Sequence, residues 1–322
     1  MYTKYDADVL RNVLDCGDAC VYRGSTSAET YQEDDTSRGP IVAVRKLSRK
    51  MQCPNAWARL LSSCPASEWP PPRNVPDALL DAFTMGGRAA VSNHYFNQRY
   101  SGGQALLPHW SASDLDARIA STSLEEAMKD IYSYGMAEVR YVELAIARHA
   151  KIFIQGRVGV VWGSELPWVE VLLARHGAKQ VVTVEYGRID VDEHPVISAT
   201  TPSQLAAMML TRPRAFDFAV TFSSLEHSGL GRYGDSLNPY GDIEAMVQTW
   251  CLLRPGGLFI LGVPAADPSA SHDEIVWNAH RLYGPHRLAE LFAGYEHVES
   301  IDPREFGDWV HSSSILHVLR KK

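Results

Sequence analysis

The stretch from Val158 to Tyr186, VGVVWGSELPWVEVLLARHGAKQVVTVEY, constrains the fold more than any other part of the chain. Val158–Trp162 is a short apolar run with β-branched residues, and it stops at Gly163-Ser164 as a parallel strand does on leaving a sheet. Trp168, Val169, Leu172 and Leu173 then recur at helical spacing, with Glu170 and Arg175 expected to face elsewhere. Gly177 suits the residue just past a helix end, where a positive φ is needed. Val181–Glu185 reads as the next buried strand. In an open parallel sheet built from such strand–helix–strand units, ligands bind outside the carboxyl ends of the strands. Gly163 and Glu185 both fall on that edge, and a carboxylate at Glu185 can accept from both hydroxyls of a ribose.

The same alternation continues downstream. Val196–Ala199 is a short third strand, Ser203–Leu210 a helix with Pro202 in its first turn, and Phe216–Phe222 (FDFAVTF) a buried strand. Ser223-Ser224-Leu225-Glu226-His227 follows at that strand's carboxyl end. A loop, GLGRYGDSLNPYGD, leads to a helix over Ile243–Leu253. Arg254-Pro255-Gly256-Gly257 then turns into strand Leu258–Val263. Leu282–Ala293 has helical spacing, and His297–Ile301 and Ser314–Leu319 look like the last strands, the second with the alternation of an antiparallel insertion. Upstream, a Ser with acids in the next turn opens a helix from Ser121 or Ser123 to Ala150, broken near Gly135.

The N-terminal part is less regular. Asp8–Cys16 suits a short helix, Ile41–Leu47 a strand, and Asp77–Phe83 another helix. Trp69-Pro70-Pro71-Pro72 can continue neither helix nor central strand and marks a boundary. Asn93–Gly103, NHYFNQRYSGG, mixes aromatics with amides and ends in glycines, as a surface loop or substrate lid would, and it contains Tyr100.

With 45% hydrophobic and 21% charged residues the chain has a globular composition, and its net charge of -7 argues against a nucleic-acid surface. No apolar run approaches the roughly 20 residues of a membrane span, and MYTKYDADVL has no secretory-signal pattern. The sparse cysteines Cys16, Cys20, Cys53, Cys64 and Cys251 suggest no disulfide framework, so reduced thiols and a cytoplasmic location are expected. Scattered histidines, with His272–Glu274 adjacent but not at ligand spacing, imply a metal-independent site.

GSELPWVE, VTVEY, SSLEHSGLGRYGDSLNPYGD, PGGLFILGVP and WNAHRLYGPHRL together resemble the class I S-adenosylmethionine-dependent methyltransferases. Within that superfamily they look most like the domain-of-unknown-function family first catalogued in nematodes. The resemblance covers Leu124 to Lys322. It implies an α/β fold with a Rossmann-like seven-stranded sheet whose last strand is antiparallel, over residues 121–322. Residues 1–120 would be an N-terminal extension serving as a lid or substrate-binding region. It also implies S-adenosylmethionine as cofactor, held by Gly163, Ser164, Glu165, Glu185, Tyr186, Ser223, Ser224 and Leu225. The chain departs from the superfamily's glycine-rich first loop, because Glu165 and Pro167 stand at two glycine positions and Val161 replaces the leading acid. Glu165 can compensate with a carboxylate toward the cationic methionine end.

Methyl transfer to an alcohol gains from a base. His227, which follows the fourth strand, is the first candidate, with His280 and Asp235 as others. Tyr100, Arg232, Tyr233, Tyr240, Asn278, Arg281 and Tyr283 supply aromatic faces and polar groups suited to a hydroxylated small molecule or glycan. Two other functions fit the same pattern: a nicotinamide-dependent oxidoreductase, and a non-catalytic scaffold on a methyltransferase fold. Pro167, which lacks an N–H, disfavours the pyrophosphate of a nicotinamide cofactor.

Overall fold

In a computed structural model, the described residues are 71–96, 108–131, 135–211, 215–233, 235, 237–267, 272–306 and 314–322. The expectations for Asp8–Cys16, Ile41–Leu47 and Tyr100 lie outside them. In chain order the elements begin with α1 (Asp77–Phe83), β1 (Ala89–Asn93), β2 (His109–Trp110), α2 (Ala112–Ala120), α3 (Leu124–Met128) and α4 (Met136–His149). Next come β3 (Val158–Trp162), α5 (Trp168–Arg175), β4 (Gln180–Val184), β5 (Asp190–Val191), β6 (Ile197–Thr200), α6 (Pro202–Thr211) and β7 (Phe216–Phe222). The chain finishes with α7 (Gly241–Leu252), β8 (Leu253–Pro264), β9 (Asp273–Trp277), β10 (His280–Leu282), α8 (Pro285–Leu291), β11 (Tyr295–Ile301) and β12 (Ser314–Lys321).

The chain divides into two units. One comprises Gly102–Leu225, Thr249–Ala265 and Phe292–Lys322. Its sheet has seven strands in the order β11-β12-β8-β7-β3-β4-β6. β3, β4, β6, β7 and β8 run parallel, while β12 lies antiparallel between β8 and β11. This is the seven-stranded Rossmann-like sheet that the resemblance implies, antiparallel last strand included. Chain order reverses between β3 and β7, which makes their carboxyl ends the crevice-forming edge.

Local chemistry explains the elements that build this edge. Val161, Val181 and Phe218 are buried in one apolar core with Val169, Leu172 and Leu173 of α5, and Val160 and Val184 are buried as well. α5 closes in a Schellman motif: Ala178 N donates to Leu173 O at 3.1 Å and Gly177 N to Ala174 O at 2.9 Å, with Gly177 at φ +82°. Arg175 then donates to the carbonyls of Arg118, Ile119 and Ser121, satisfying the free end of α2. The long helix expected upstream is two helices. Ser123 caps α3 by accepting from Glu126 N at 3.2 Å, and Gly135 is the N-cap of α4.

The second unit comprises Met1–Ser101, Glu226–Gln248 and Ala266–Leu291. β1 pairs in parallel with β9, which pairs antiparallel with β10. Leu79, Phe83, Ala89, Leu230, Ile275 and Trp277 form its apolar core, with Phe83 and Trp277 meeting edge to face at 5.1 Å. The helix expected over Leu282–Ala293 is corrected to β10 plus a shorter α8. Pro285 opens that helix, and Gly284 and Arg287 donate their N–H groups to Asp273 Oδ1 at 2.6 and 3.1 Å. Cys251 is disulfide-bonded, which corrects the expectation of a reduced thiol there. Among the described residues no helix is long and apolar enough to cross a membrane.

Candidate functional site

At the carboxyl edge of the seven-stranded sheet, backbone hydrogen bonds knit each strand end to its neighbour. Gly163 N donates to Val184 O at 3.0 Å, Glu185 N to Thr200 O at 3.1 Å, and Ser223 N to Gly262 O at 3.0 Å. The loops after β3 and β7 press together so closely that a Cβ on Gly163 would lie 1.8 Å from Ser224 Oγ. Gly163 also has φ +68°, so glycine is required there on two grounds. Ser223 adopts φ +50°, a left-handed conformation that is uncommon for a non-glycine residue. Leu225 is buried as it opens a short turn. The edge therefore brings together Gly163, Ser164, Glu165, Glu185, Tyr186, Ser223, Ser224 and Leu225.

Charge is the distinctive property of this edge. Burial pushes the Glu185 carboxyl up to about 7, against the opposing effect of the Tyr186, Gly187 and Ser164 N–H groups, and the Glu165 charge pushes the same way. Tyr186 N donates to Glu185 Oε1 at 2.7 Å. Desolvation also raises the Glu165 carboxyl, although that residue is exposed. Among the described residues neither acid is in an ion pair. Tyr186, beside Glu185, is 67% exposed. At the end of β3, the Trp162 indole N–H is buried without a hydrogen-bond acceptor among the described residues.

Glu170 overturns an expectation. Helical spacing places it away from the apolar stripe, but it is 0% exposed beneath the first loop. Its Oε1 accepts from Thr183 Oγ1 at 2.6 Å, and its Oε2 lies 3.1 Å from Ser164 Oγ. Burial pushes this carboxyl up to about 7 despite its hydroxyl partners. The available signal was composition: WVEVLL is apolar on every face except Glu170, and a helix hydrophobic all round is a buried one.

The other unit holds the residues read as catalytic or acceptor-binding. His227 Nδ1 lies 2.6 Å from Ala279 O, so that nitrogen carries the hydrogen and donates. Burial, followed by the Arg232 charge, pushes the His227 imidazole down to about 3. Asp235 accepts from the N–H groups of Gly229, Gly231 and Tyr233 at 2.8, 3.3 and 3.3 Å, and so organises its own loop. His280 is half-buried, with its ring 6.3 Å from that of His227. Burial lowers its basicity, Arg232 adds to that, and Glu274 opposes it. Arg232 stacks over Phe96 at 4.3 Å and over Tyr233 at 5.0 Å.

Four residues read as acceptor-binding are instead buried and engaged within this unit. Asn278 donates to Phe96 O at 2.6 Å and accepts from Phe96 N at 2.7 Å. Tyr240 is buried. Arg281 donates to the carbonyls of Ser228, Glu226 and Asn238, and Arg287 to that of Pro239. Both arginines converge on Asp242, which also accepts from the Tyr283 hydroxyl at 3.1 Å. Burial works to raise the Asp242 carboxyl, yet the two guanidinium groups hold it below the ordinary range.

A model of the family described as "Caenorhabditis protein of unknown function, DUF268" matches residues 156–314, which bears out the resemblance drawn from the residues. No curated protein sequence matches the chain. Among solved structures the chain is similar to a putative S-adenosylmethionine-dependent methyltransferase from Listeria monocytogenes, with 13% identity, 57% of this chain and 99% of that one covered, and a TM-score of 0.37. It is also similar to the N-methyltransferase NodS from Bradyrhizobium japonicum, with 16% identity, 58% and 97% coverage, and a TM-score of 0.40. A third is 1,6-didemethyltoxoflavin-N1-methyltransferase from Burkholderia thailandensis, with 17% identity, 72% and 99% coverage, and a TM-score of 0.38.

Proposed function

We propose that the chain is an S-adenosylmethionine-dependent methyltransferase acting on an oxygen of a hydroxylated small molecule or sugar. The observation that carries this reading is the pair Glu165 and Glu185 at the carboxyl ends of adjacent parallel strands, both held above the ordinary carboxylate range. A desolvated anion without a counter-ion, as Glu185 would be, is costly. A ligand carrying a sulfonium, an ammonium and ribose hydroxyls supplies the positive charge and the donors that these acids lack. In this assignment Glu185 takes the ribose hydroxyls and Glu165 the cationic end. The Gly163–Ser224 contact keeps a side chain out of the loop between them, and Trp162 contributes a spare donor at the same strand end. When bound, S-adenosylmethionine supplies an electrophilic methyl group.

The acceptor's proton needs a base, and among the three candidates the assignment moves to His280. His227 has committed Nδ1 to Ala279, and an imidazole near 3 is a weak proton acceptor. Asp235 is taken up by three backbone N–H groups. The His280 side chain makes no hydrogen bond among the described residues, and burial lowers its basicity, which favours the form with a lone pair to offer.

The electrostatics disfavour a nicotinamide cofactor. Its pyrophosphate would bring further negative charge to Glu165 and Glu185, and Pro167 at the N-cap of α5 offers it no N–H. Calorimetric titration with S-adenosylhomocysteine and with NADH tests this choice. Binding of S-adenosylhomocysteine alone is expected; binding of NADH alone would reverse the assignment, and binding of neither would leave a scaffold. An acceptor screen with labelled methyl donor then tests for oxygen as the methylated atom.

A further inference from the structure

We propose that Arg232 binds an anionic group, a carboxylate or a phosphate, beside His280, and that the acceptor is therefore an acidic hydroxylated molecule rather than a neutral one. The anion site belongs to the second unit alone; only its identity as the acceptor's site rests on the proposed function.

Local structure gathers the groups at one point. His94 and Phe96 continue from the end of β1, where His94 N donates to Trp277 O at 3.0 Å. The Asn278 side chain clamps the Phe96 backbone on both its N–H and its carbonyl. The ring so fixed has the His94 imidazole at 4.7 Å and the Arg232 guanidinium over it at 4.3 Å. Arg232 also lies over Tyr233 at 5.0 Å, and Tyr233 meets His227 edge to face at 5.4 Å. Ala279 O accepts from His227 Nδ1 at 2.6 Å and from Arg232 Nη1 at 3.3 Å, which brings both side chains to the residue before His280. Strand alternation places His280 itself. In β10 Arg281 is buried while His280 and Leu282 are half-buried, and His280 pairs with Val276 on the more open face of β9.

Charge at this point is predominantly positive. Arg232 is permanently charged, and the imidazoles of His94, His227 and His280 stand round it. Its charge works against protonation of both His227 and His280, and His94 adds to the effect on His280. The acids nearby are directed elsewhere. Glu274 of β9, which opposes the effect on His280, takes a hydrogen bond from Ser92 Oγ at 2.6 Å. Asp235, in the same loop as Arg232, accepts from the N–H groups of Gly229, Gly231 and Tyr233. A bound anion relieves this repulsion. Shape points the same way: an arginine resting on aromatic faces directs its donors into its own plane, where a carboxylate or phosphate is met by two N–H groups at once.

An anion on Arg232 also offsets the charge that depresses His280. The bound acceptor thereby raises the basicity of the group assigned as its base, toward the range in which an imidazole serves at neutral pH. A neutral acceptor leaves His280 as it is.

The test is a titration of the wild-type chain, without cofactor, with inorganic phosphate and with acetate against chloride at equal ionic strength. Histidine ring resonances are the readout, with His280→Gln and His94→Gln assigning the signals. Phosphate or acetate at millimolar concentration should shift both resonances and raise the His280 pKa, and Arg232→Gln should weaken that response about 10- to 150-fold. Without any anion, Arg232→Gln should itself raise the His280 pKa, because the repelling charge is gone. A response to phosphate alone assigns a phosphorylated acceptor, and a response to acetate alone a carboxylated one. If Arg232→Gln does not fold, Arg232→Lys keeps the charge without the planar fork and should weaken the response about 5-fold, the loss of one hydrogen bond. No response beyond that to chloride, a response undiminished in the Arg232 variant that folds, or a His280 pKa that Arg232→Gln leaves unmoved would overturn the proposal. A chain that binds the anion through Arg232 but no S-adenosylhomocysteine sinks the cofactor reading alone. One that binds S-adenosylhomocysteine and neither anion sinks this proposal alone.

Discussion

Asp242 and Glu170 are both fully buried acids, one in each unit, and their electrostatic company is opposite. Asp242 sits against two guanidinium groups and a tyrosine hydroxyl, and its carboxyl is held below the ordinary range. Glu170 has hydroxyls for partners and a like charge nearby, and its carboxyl is held up near 7, as is that of Glu185. In the first case the protein balances its own charge, and the arginines spend their remaining donors on loop carbonyls. That is a structural centre. In the second the balance is left incomplete at a sheet edge, which is where an external cation or donor has most to contribute. Asp242 thus holds a fold, whereas Glu185 at the sheet edge is the acid open to a ligand, with Glu170 enclosed beneath it.

Removing the balanced acid should have the largest effect. Asp242→Ala strands Arg281 and Arg287 in the interior and should destabilise the protein by about 3–5 kcal/mol, read by chemical denaturation. A variant of wild-type stability would show that the arginines find other partners and would break the contrast. Next in size is the histidine pair. His280→Ala should lower turnover about 100-fold, the lower range for losing a general base, with little change in Tm. His227→Ala should lower Tm and leave turnover nearly intact. The reverse pattern would restore His227 as the base.

Smaller still is the effect of the unbalanced acid at the ligand edge. Glu185→Ala should weaken S-adenosylhomocysteine binding by about 1–3 kcal/mol. Its effect on the ligand-free protein has the opposite sign. Because the folded pKa is raised to about 7, the ionised carboxylate costs stability above that pH, so Glu185→Ala should raise Tm at about pH 8. A lowered Tm there would class Glu185 with Asp242.

The parts visible in the sequence are those with local signals. Phe216–Phe222 was bounded correctly by its apolar run, the close of α5 by Gly177, the break before α4 by Gly135, and β12 by its alternation. The sheet of β1, β9 and β10 was not legible, because β1 pairs with β9 across most of the chain, Ala89 with Asp273, and neither has a partner nearby in sequence. Within the site, Gly163 and Glu185 could be placed because strand ends are readable. Asn278, Arg281, Tyr240 and Tyr283 were read as acceptor-binding from their chemistry alone, and burial is a tertiary property that chemistry does not announce. Glu170 was misdirected for the same reason, since the wheel of a short apolar helix cannot show that both faces are covered.

The most direct test is calorimetric titration of the wild-type protein with S-adenosylhomocysteine at several pH values. The account predicts binding whose affinity rises between about pH 5.5 and 7.5 as Glu185 ionises. No binding across that range, or binding of NADH instead, would contradict it.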